Sequence, residues 1–449
     1  MTTVKKNVAE RTHTPKPNLQ AIDVIALIVG IVIGAGIFRI PSLVAANSAS
    51  GFHFILYWIM GGAVSLIGAL CYAELATTFP NTGGDYYFIL RAFGRRLAFL
   101  FAWARISIIQ TGSVALLAFI FGDYASQVFS LGDYSSVIYA AFTVLVLTGI
   151  NILGVKAGAY TQKILTSLEV LGILVVVLAG FFFAPSSSIE VADAAPGGGG
   201  STGLAMVFVL LTFGGWNEAA YVSAELRSGR KLIASSLIIS IVIITVIYLI
   251  INLAYLRGLG MQGMASSDAI AGDLMRLSFG EGGMVLISIL VAIAALTSAN
   301  ATIFTGARSN YALGRDFAIF SILGKWKSPS LGPVNSLLAQ GLIALLLVSL
   351  GLFSRDGFET MVEYTAPVFW FFFLLVGLAL FRLRKIAPAA ERPFRVPLYP
   401  FLPVLFCLTC LYLLYSSIVY TGWGAMVGIG VLLVGVMILY FNKKGIDRE

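Results

Sequence analysis

The sequence predicts an all-α integral membrane protein of about twelve transmembrane helices whose first and sixth spans are unwound, the build of a secondary transporter. Three observations carry that reading. The 449 residues are 59% hydrophobic and only 11% charged, with a mean hydropathy of +0.93, which is more apolar surface than a water-soluble core can bury. The apolar residues fall in runs of about 20, the length a helix needs to cross the hydrocarbon of a bilayer. Two of those runs carry paired glycines near mid-depth, Gly34 and Gly36 in the first, Gly214 and Gly215 in the sixth.

Polar breaks between the runs place spans near residues 22–46, 54–78, 97–121, 136–153, 160–184 and 202–225, then 232–256, 282–312, 334–353, 360–383, 399–420 and 423–441. The leader 1–20 is polar and basic and runs into span one without a small-residue cleavage pattern, so it reads as a cytoplasmic tail and not as a signal peptide. With that tail inside, the inside segments collect Arg91, Arg95, Arg96, Lys156, Arg227, Arg230, Lys231, Lys325 and Lys385 among others. The outside loops hold Asp123, Asp133, Glu190, Asp193, Asp268 and Asp273 against only Arg257, Arg276 and Arg355. One topology therefore satisfies the positive-inside rule: a multi-pass protein of the inner (plasma) membrane with both termini cytoplasmic. The net charge of +8 records insertion, and nucleic acid is not an expected partner; the lipid bilayer is.

The stretch 185–201, rich in Pro, Ser and Gly, reads as a flexible extracellular loop. It divides the first ten spans into two sets of five, and because five is odd, equivalent spans run in opposite directions, as an inverted repeat requires. The expected organisation is a tail (1–20), a first repeat of spans one to five (21–184), the loop (185–201), a second repeat of spans six to ten (202–384), spans eleven and twelve (398–441) and a second tail (442–449).

Unwinding at Gly34-Ala35-Gly36 would free backbone N–H and C=O groups that lipid cannot satisfy, so the segment must line an enclosed cavity or a ligand site. The half-helix from Ile37 onward would present its positive N-terminal end to the membrane centre, suited to a carboxylate. The competing reading is a small-residue packing face. The second interruption, Phe213-Gly214-Gly215-Trp216-Asn217, argues for a site, because its freed carbonyls near Phe213 and Gly214 could accept an ammonium. Two such breaks would clamp a zwitterion, and an α-amino acid fits that description.

Cys71, Cys407 and Cys410 all lie inside apolar runs, and His13 and His53 are the only histidines. No disulfide framework, zinc cluster or histidine-based catalytic set can be assembled from these. Neither an enzyme nor a cofactor is expected, and no Gly-rich nucleotide loop points to ATP drive.

The run Cys71-Tyr72-Ala73-Glu74-Leu75-Ala76-Thr77-Thr78-Phe79-Pro80, followed by Gly83-Gly84-Asp85-Tyr86 and Ala92-Phe93-Gly94, resembles the second-span signature of the amino acid-polyamine-organocation superfamily. More narrowly the chain resembles the L-type amino acid transporter branch, bacterial type, through Gly34 to Phe38, Gly214 to Asn217, Asn300 to Arg308, Gly314-Arg315-Asp316 and Arg392 to Pro397. The resemblance implies the leucine-transporter-like fold of five plus five helices with two more, and amino acid transport by alternating access. It implies that Ile33, Gly34, Ala35, Gly36 and Ile37 hold the substrate carboxylate, that Phe213, Gly214, Gly215 and Asn217 hold the amino group, and that Phe213 is an aromatic gate. Tyr248 resembles a site-lining tyrosine, with an ordinary buried aromatic as the equal alternative.

Span five departs from the family pattern, since Gln162 to Glu169 carries Glu169 where members often have a lysine bridging spans one, five and eight. A lone carboxylate inside a span marks a proton or cation site, with Ser298 of span eight as the companion coupling candidate. Ion pairing with Lys163 or Lys156, or a place in the cytoplasmic vestibule, are the plainer alternatives. The loop 122–135 lacks the cysteine by which animal members attach a glycoprotein, so no disulfide-linked heavy subunit is expected. Structural ion pairing is the expectation for Arg39 in the outer vestibule, Glu74 near the inner end of span two and Arg105 within span three. Exchange and proton-coupled symport of neutral amino acids are the two expected transport modes; the rival to transport is a channel or receptor-like membrane protein that binds amino acids without a cycle.

Overall fold

The computed structural model describes residues 25, 28–30, 32–81, 83–153, 159–185, 201–217, 231–325, 333–354, 356–419 and 422–442. The tail 1–20, most of the 185–201 loop, residues 443–449, Lys156 and the Lys163 side chain lie outside the described residues. Among those described there are helices and turns and no strand. After a first helical stretch that ends at Val32 the chain forms α1 (Ile40–Ala46), α2 (Gly51–Thr78), α3 (Gly84–Phe93), α4 (Arg95–Ala104), α5 (Gln110–Val128), α6 (Ser135–Ile152) and α7 (Ala159–Leu178). The second part holds α8 (Thr202–Thr212), α9 (Lys231–Ala265), α10 (Ile270–Asp316), α11 (Val334–Leu350), α12 (Gly357–Ile386), α13 (Phe401–Val419) and α14 (Trp423–Phe441).

Among the described residues eight helical elements are long and apolar enough to cross a membrane, and three shorter apolar ones, Leu168–Phe183, Thr202–Thr212 and Val334–Leu350, accompany them. Their side chains show what the solvent is. On α11 the row Leu338, Leu342 and Leu346 is exposed, as is the row Val242, Val246, Ile250 and Leu253 on α9; spacings of three and four residues make each row one helix face. Apolar faces turned outward suit lipid, where every backbone polar group must be satisfied within the helix.

With apolar surface on both sides of the interface, helices hold together by close packing. A Cβ at Gly428 of α14 would stand 2.1 Å from the Tyr364 carbonyl of α12, so only glycine permits that approach. Amides add polar contacts: Gln110 of α5 donates to the Thr302 carbonyl of α10 at 2.8 Å, and Asn151 of α6 donates to Asn300 Oδ1 at 2.7 Å. These bonds join α5 and α6 to α10.

Several details differ from the expected spans. Span three is a longer element, 95–128, interrupted by a π-helical turn at Arg105–Ile109. The eighth span continues a helix that begins at Ile270 and kinks at Gly280 (φ 70°). The helix α3, between spans two and three, is an element the apolar-run reading passes over, because ten residues with Asp85 and Arg91 among them do not make a hydrophobic run.

Candidate functional site

The first break is centred where the glycines fall. Gly34 is extended (φ −113°, ψ −177°), and Ala35–Phe38 make a 3₁₀ turn instead of continuing the α-helix. The α-helical ladder resumes only in α1, which opens at Ile40 with Pro41 in its first turn, where the missing N–H costs nothing. The outer half-helix thus starts three residues later than Ile37. In the second break α8 stops at Thr212, Gly214 N–H turns back to the Leu211 carbonyl at 3.0 Å, and Gly215 has φ 105°, a left-handed conformation that glycine adopts without strain.

Tyr248 of α9 brings the two breaks together. Its hydroxyl contacts the Val32 carbonyl at 2.7 Å and the Thr212 carbonyl at 3.0 Å, one from each interrupted span. Tyr248 is fully buried, with its ring 5.0 Å from Phe213 and 5.7 Å from Trp58 between centroids. A second tyrosine does the same work further along the first break: Tyr124 of α5 donates to the Phe38 carbonyl and accepts from the Ala271 N–H. Helix interruption inside a membrane frees carbonyls, and here phenol hydroxyls meet them. Tyr124 carries no motif that would single it out in the sequence.

Among the predicted site residues, Ile33, Ala35, Ile37 and Phe213 are buried, whereas Gly34, Gly36, Gly214 and Gly215 keep partial access. A Cβ on Gly36 would meet Ile40 at 3.5 Å and Thr212 at 4.0 Å, so the open side of Gly36 looks across at the end of α8. The Phe213 ring is packed with Trp58 and Tyr248. Asn217 is buried and donates to Asp85 of α3 at 3.3 Å.

Glu169 of α7 is 8% exposed, and its Oε1 has no hydrogen-bond partner. Tyr248 lies within its electrostatic reach. One turn along the same face, a Cβ on Gly172 would touch Phe38 at 3.8 Å and Ile287 at 3.7 Å, so this face of α7 looks at the first break and at α10. Ser298 on α10 is half-buried, and its carbonyl accepts from Thr302 Oγ1 at 2.8 Å.

Two ion clusters close the ends of the bundle. Arg39, 3% exposed and directly after the first break, pairs with Asp123 of α5 at 3.4 Å, with Asp268 at 3.6 Å and with Asp356, the N-cap of α12. It also donates to the Ser267 carbonyl at 3.2 Å. At the other end Glu74 of α2, 1% exposed, accepts from Arg384 Nε at 2.7 Å and from Val396 N–H at 2.7 Å, with Arg392 at 3.6 Å. Beside this second end lies α3, where burial, with Asp316 next to it, pushes the Tyr86 phenol up to about 12. The expected ion pairs of Arg39 and Glu74 are thus formed; Arg105 opens the π-helical turn. No group of three or more His, Cys, Asp or Glu able to hold a metal occurs among the described residues, and the three cysteines are free.

A multi-pass helical membrane protein whose backbone is interrupted at two facing helix breaks has the build of a carrier for small solutes. The chain matches the family model described as amino acid permease over residues 19–441, and it belongs to that family, whose members are transporters and not enzymes. It is 28% identical to the b(0,+)-type amino acid transporter 1 of Mus musculus, over 91% of this chain and 84% of the relative. It is equally 28% identical to the cystine/glutamate transporter of Homo sapiens, covering 93% and 83%, and to the large neutral amino acids transporter small subunit 2 of Mus musculus, covering 95% and 81%.

Proposed function

We propose that the chain is a secondary active transporter of neutral α-amino acids working by alternating access, with twelve spans, a five-plus-five inverted repeat and both termini in the cytoplasm of a cell bounded by the inner (plasma) membrane. The observation that carries this reading is the single hydroxyl of Tyr248 on the carbonyls of Val32 and Thr212, which brings the two glycine breaks face to face. The amides that open the 3₁₀ turn at Ala35 and Gly36 have no acceptor inside it and suit a carboxylate. Carbonyls around Phe213 and Gly214 suit an ammonium. The α-amino acid is held by backbone at both ends, and side-chain selection is left to packing, where one methylene is worth only about 1 to 3 kcal/mol. Uptake of each proteinogenic amino acid into proteoliposomes tests this; neutral amino acids are expected to enter and to exchange, and absence of saturable uptake for all of them would sink the reading.

Glu169 favours proton-coupled symport over plain exchange. A buried carboxylate with an unpartnered oxygen is costly when ionised in a membrane and is relieved by a proton. Ser298 on α10 is the companion in this coupling role. The transporter acts without a disulfide-linked heavy subunit, since residues 122–135 contain no cysteine.

A further inference from the structure

The break in span six passes from its glycines into a 3₁₀ turn at Trp216 and Asn217, the last described residues of that span. Gly214 and Gly215 supply no side chains, so among the described residues the side-chain contacts of that edge are made by Trp216 and Asn217. Trp216 sits in an aromatic corner, with its ring centroid 5.0 Å from Tyr72 and 5.7 Å from Phe373. Asn217 reaches α3, where Asp85, 4% exposed and in the first turn, accepts its amide hydrogen bond at 3.3 Å.

The helix α3 is anchored independently of span six. Phe88 meets Tyr72 of α2 at 6.4 Å, Tyr86 meets Phe317 at the end of α10 at 6.5 Å, both between ring centroids, and α3 packs along α12. It is therefore a post, held by other elements, against which the described edge of the break rests. We propose that Asp85 is a positioning residue of the transport site: through Asn217 it latches the cytoplasmic edge of the span-six break onto α3, and the latch releases when substrate passes on that side. This rests on the amino acid transport reading above. The contact between Asn217 and α3 has to change if span six moves relative to α10 and α12, because α3 touches both.

A reciprocal exchange of the two side chains tests the pair in the full-length protein. Asp85→Asn keeps an acceptor oxygen opposite Asn217 and is expected to transport within about threefold of the unaltered protein. Asn217→Asp sets two carboxylates against each other, and its uptake of tritiated L-leucine and L-alanine should fall by about tenfold or more. Its amide hydrogen exchange across 84–93 should rise. The double variant D85N/N217D restores a carboxylate–amide pair and should take up substrate at least about threefold faster than Asn217→Asp, with exchange across 84–93 lowered again. A double variant whose uptake stays as low as that of Asn217→Asp overturns the positioning role, whether or not exchange recovers. If the unaltered protein takes up no proteinogenic amino acid, the transport reading itself fails, a result told apart from the first by the silent control.

Discussion

At the residue scale, one phenol hydroxyl lies between two carbonyls at the helix breaks; the Val32 carbonyl also accepts from the Gly34 N–H at 2.9 Å, so removing the hydroxyl takes away the side-chain donor that the Thr212 carbonyl meets. Each unsatisfied buried group costs about 1–3 kcal/mol, so Tyr248→Phe should lower the melting temperature of the detergent-solubilised protein and slow uptake, while Tyr57→Phe, whose hydroxyl meets only Thr202 on a half-buried edge, should do neither to the same degree. Gly36 gives a graded test. Its Cβ position has ordinary contacts, so Gly36→Ala should fold and retain partial uptake; the branches of Gly36→Val would fill the space toward Thr212, giving a folded, monodisperse protein without uptake. Glu169→Gln should remove the response of uptake to an imposed pH gradient if the carboxylate carries the proton. Uptake by the unaltered protein that demands internal amino acid and ignores pH would favour exchange. The glycines were legible from sequence because only they combine small size with backbone freedom. Which hydroxyl would answer the freed carbonyls was not, since Tyr248 and Tyr124 reach them from helices far away in the chain.

At the element scale, α12 is held at both ends by buried charges: its N-cap Asp356 pairs with Arg39, and Arg384 in its last turn pairs with Glu74. Breaking a buried pair by deleting one partner strands the other charge and costs about 3–5 kcal/mol. Glu74→Ala should accordingly destabilise the protein in thermal denaturation far more than Glu391→Ala on the exposed part of the same connection. Equal melting temperatures for the two variants would show that the Glu74 cluster contributes nothing. The sequence marked Arg39 and Glu74 as ion-pairing residues, because a charge inside a membrane helix needs a partner. It could not name Asp356 or Arg384, which lie 317 and 310 residues away.

At the scale of the whole molecule, the proposed topology predicts sidedness. A cysteine introduced for the exposed Asp133 should react with a membrane-impermeant maleimide in intact cells, and one introduced for the exposed Lys325 only after permeabilisation; the opposite pattern would invert the topology. Composition and the spacing of apolar runs determined by themselves that this is a helical membrane protein, since the bilayer imposes one length and one backbone solution on every span. The glycine pairs of spans one and six fall at the two breaks, although a glycine pair does not by itself interrupt a helix: Gly61-Gly62 lies inside the continuous α2. Only the tertiary structure decided that the breaks meet at Tyr248, that Asn217 turns to Asp85, and that Glu169 is buried with an unpartnered oxygen. Those are contacts between distant segments, fixed by how the helices pack, and packing among uniformly apolar helices leaves no periodic trace in the sequence.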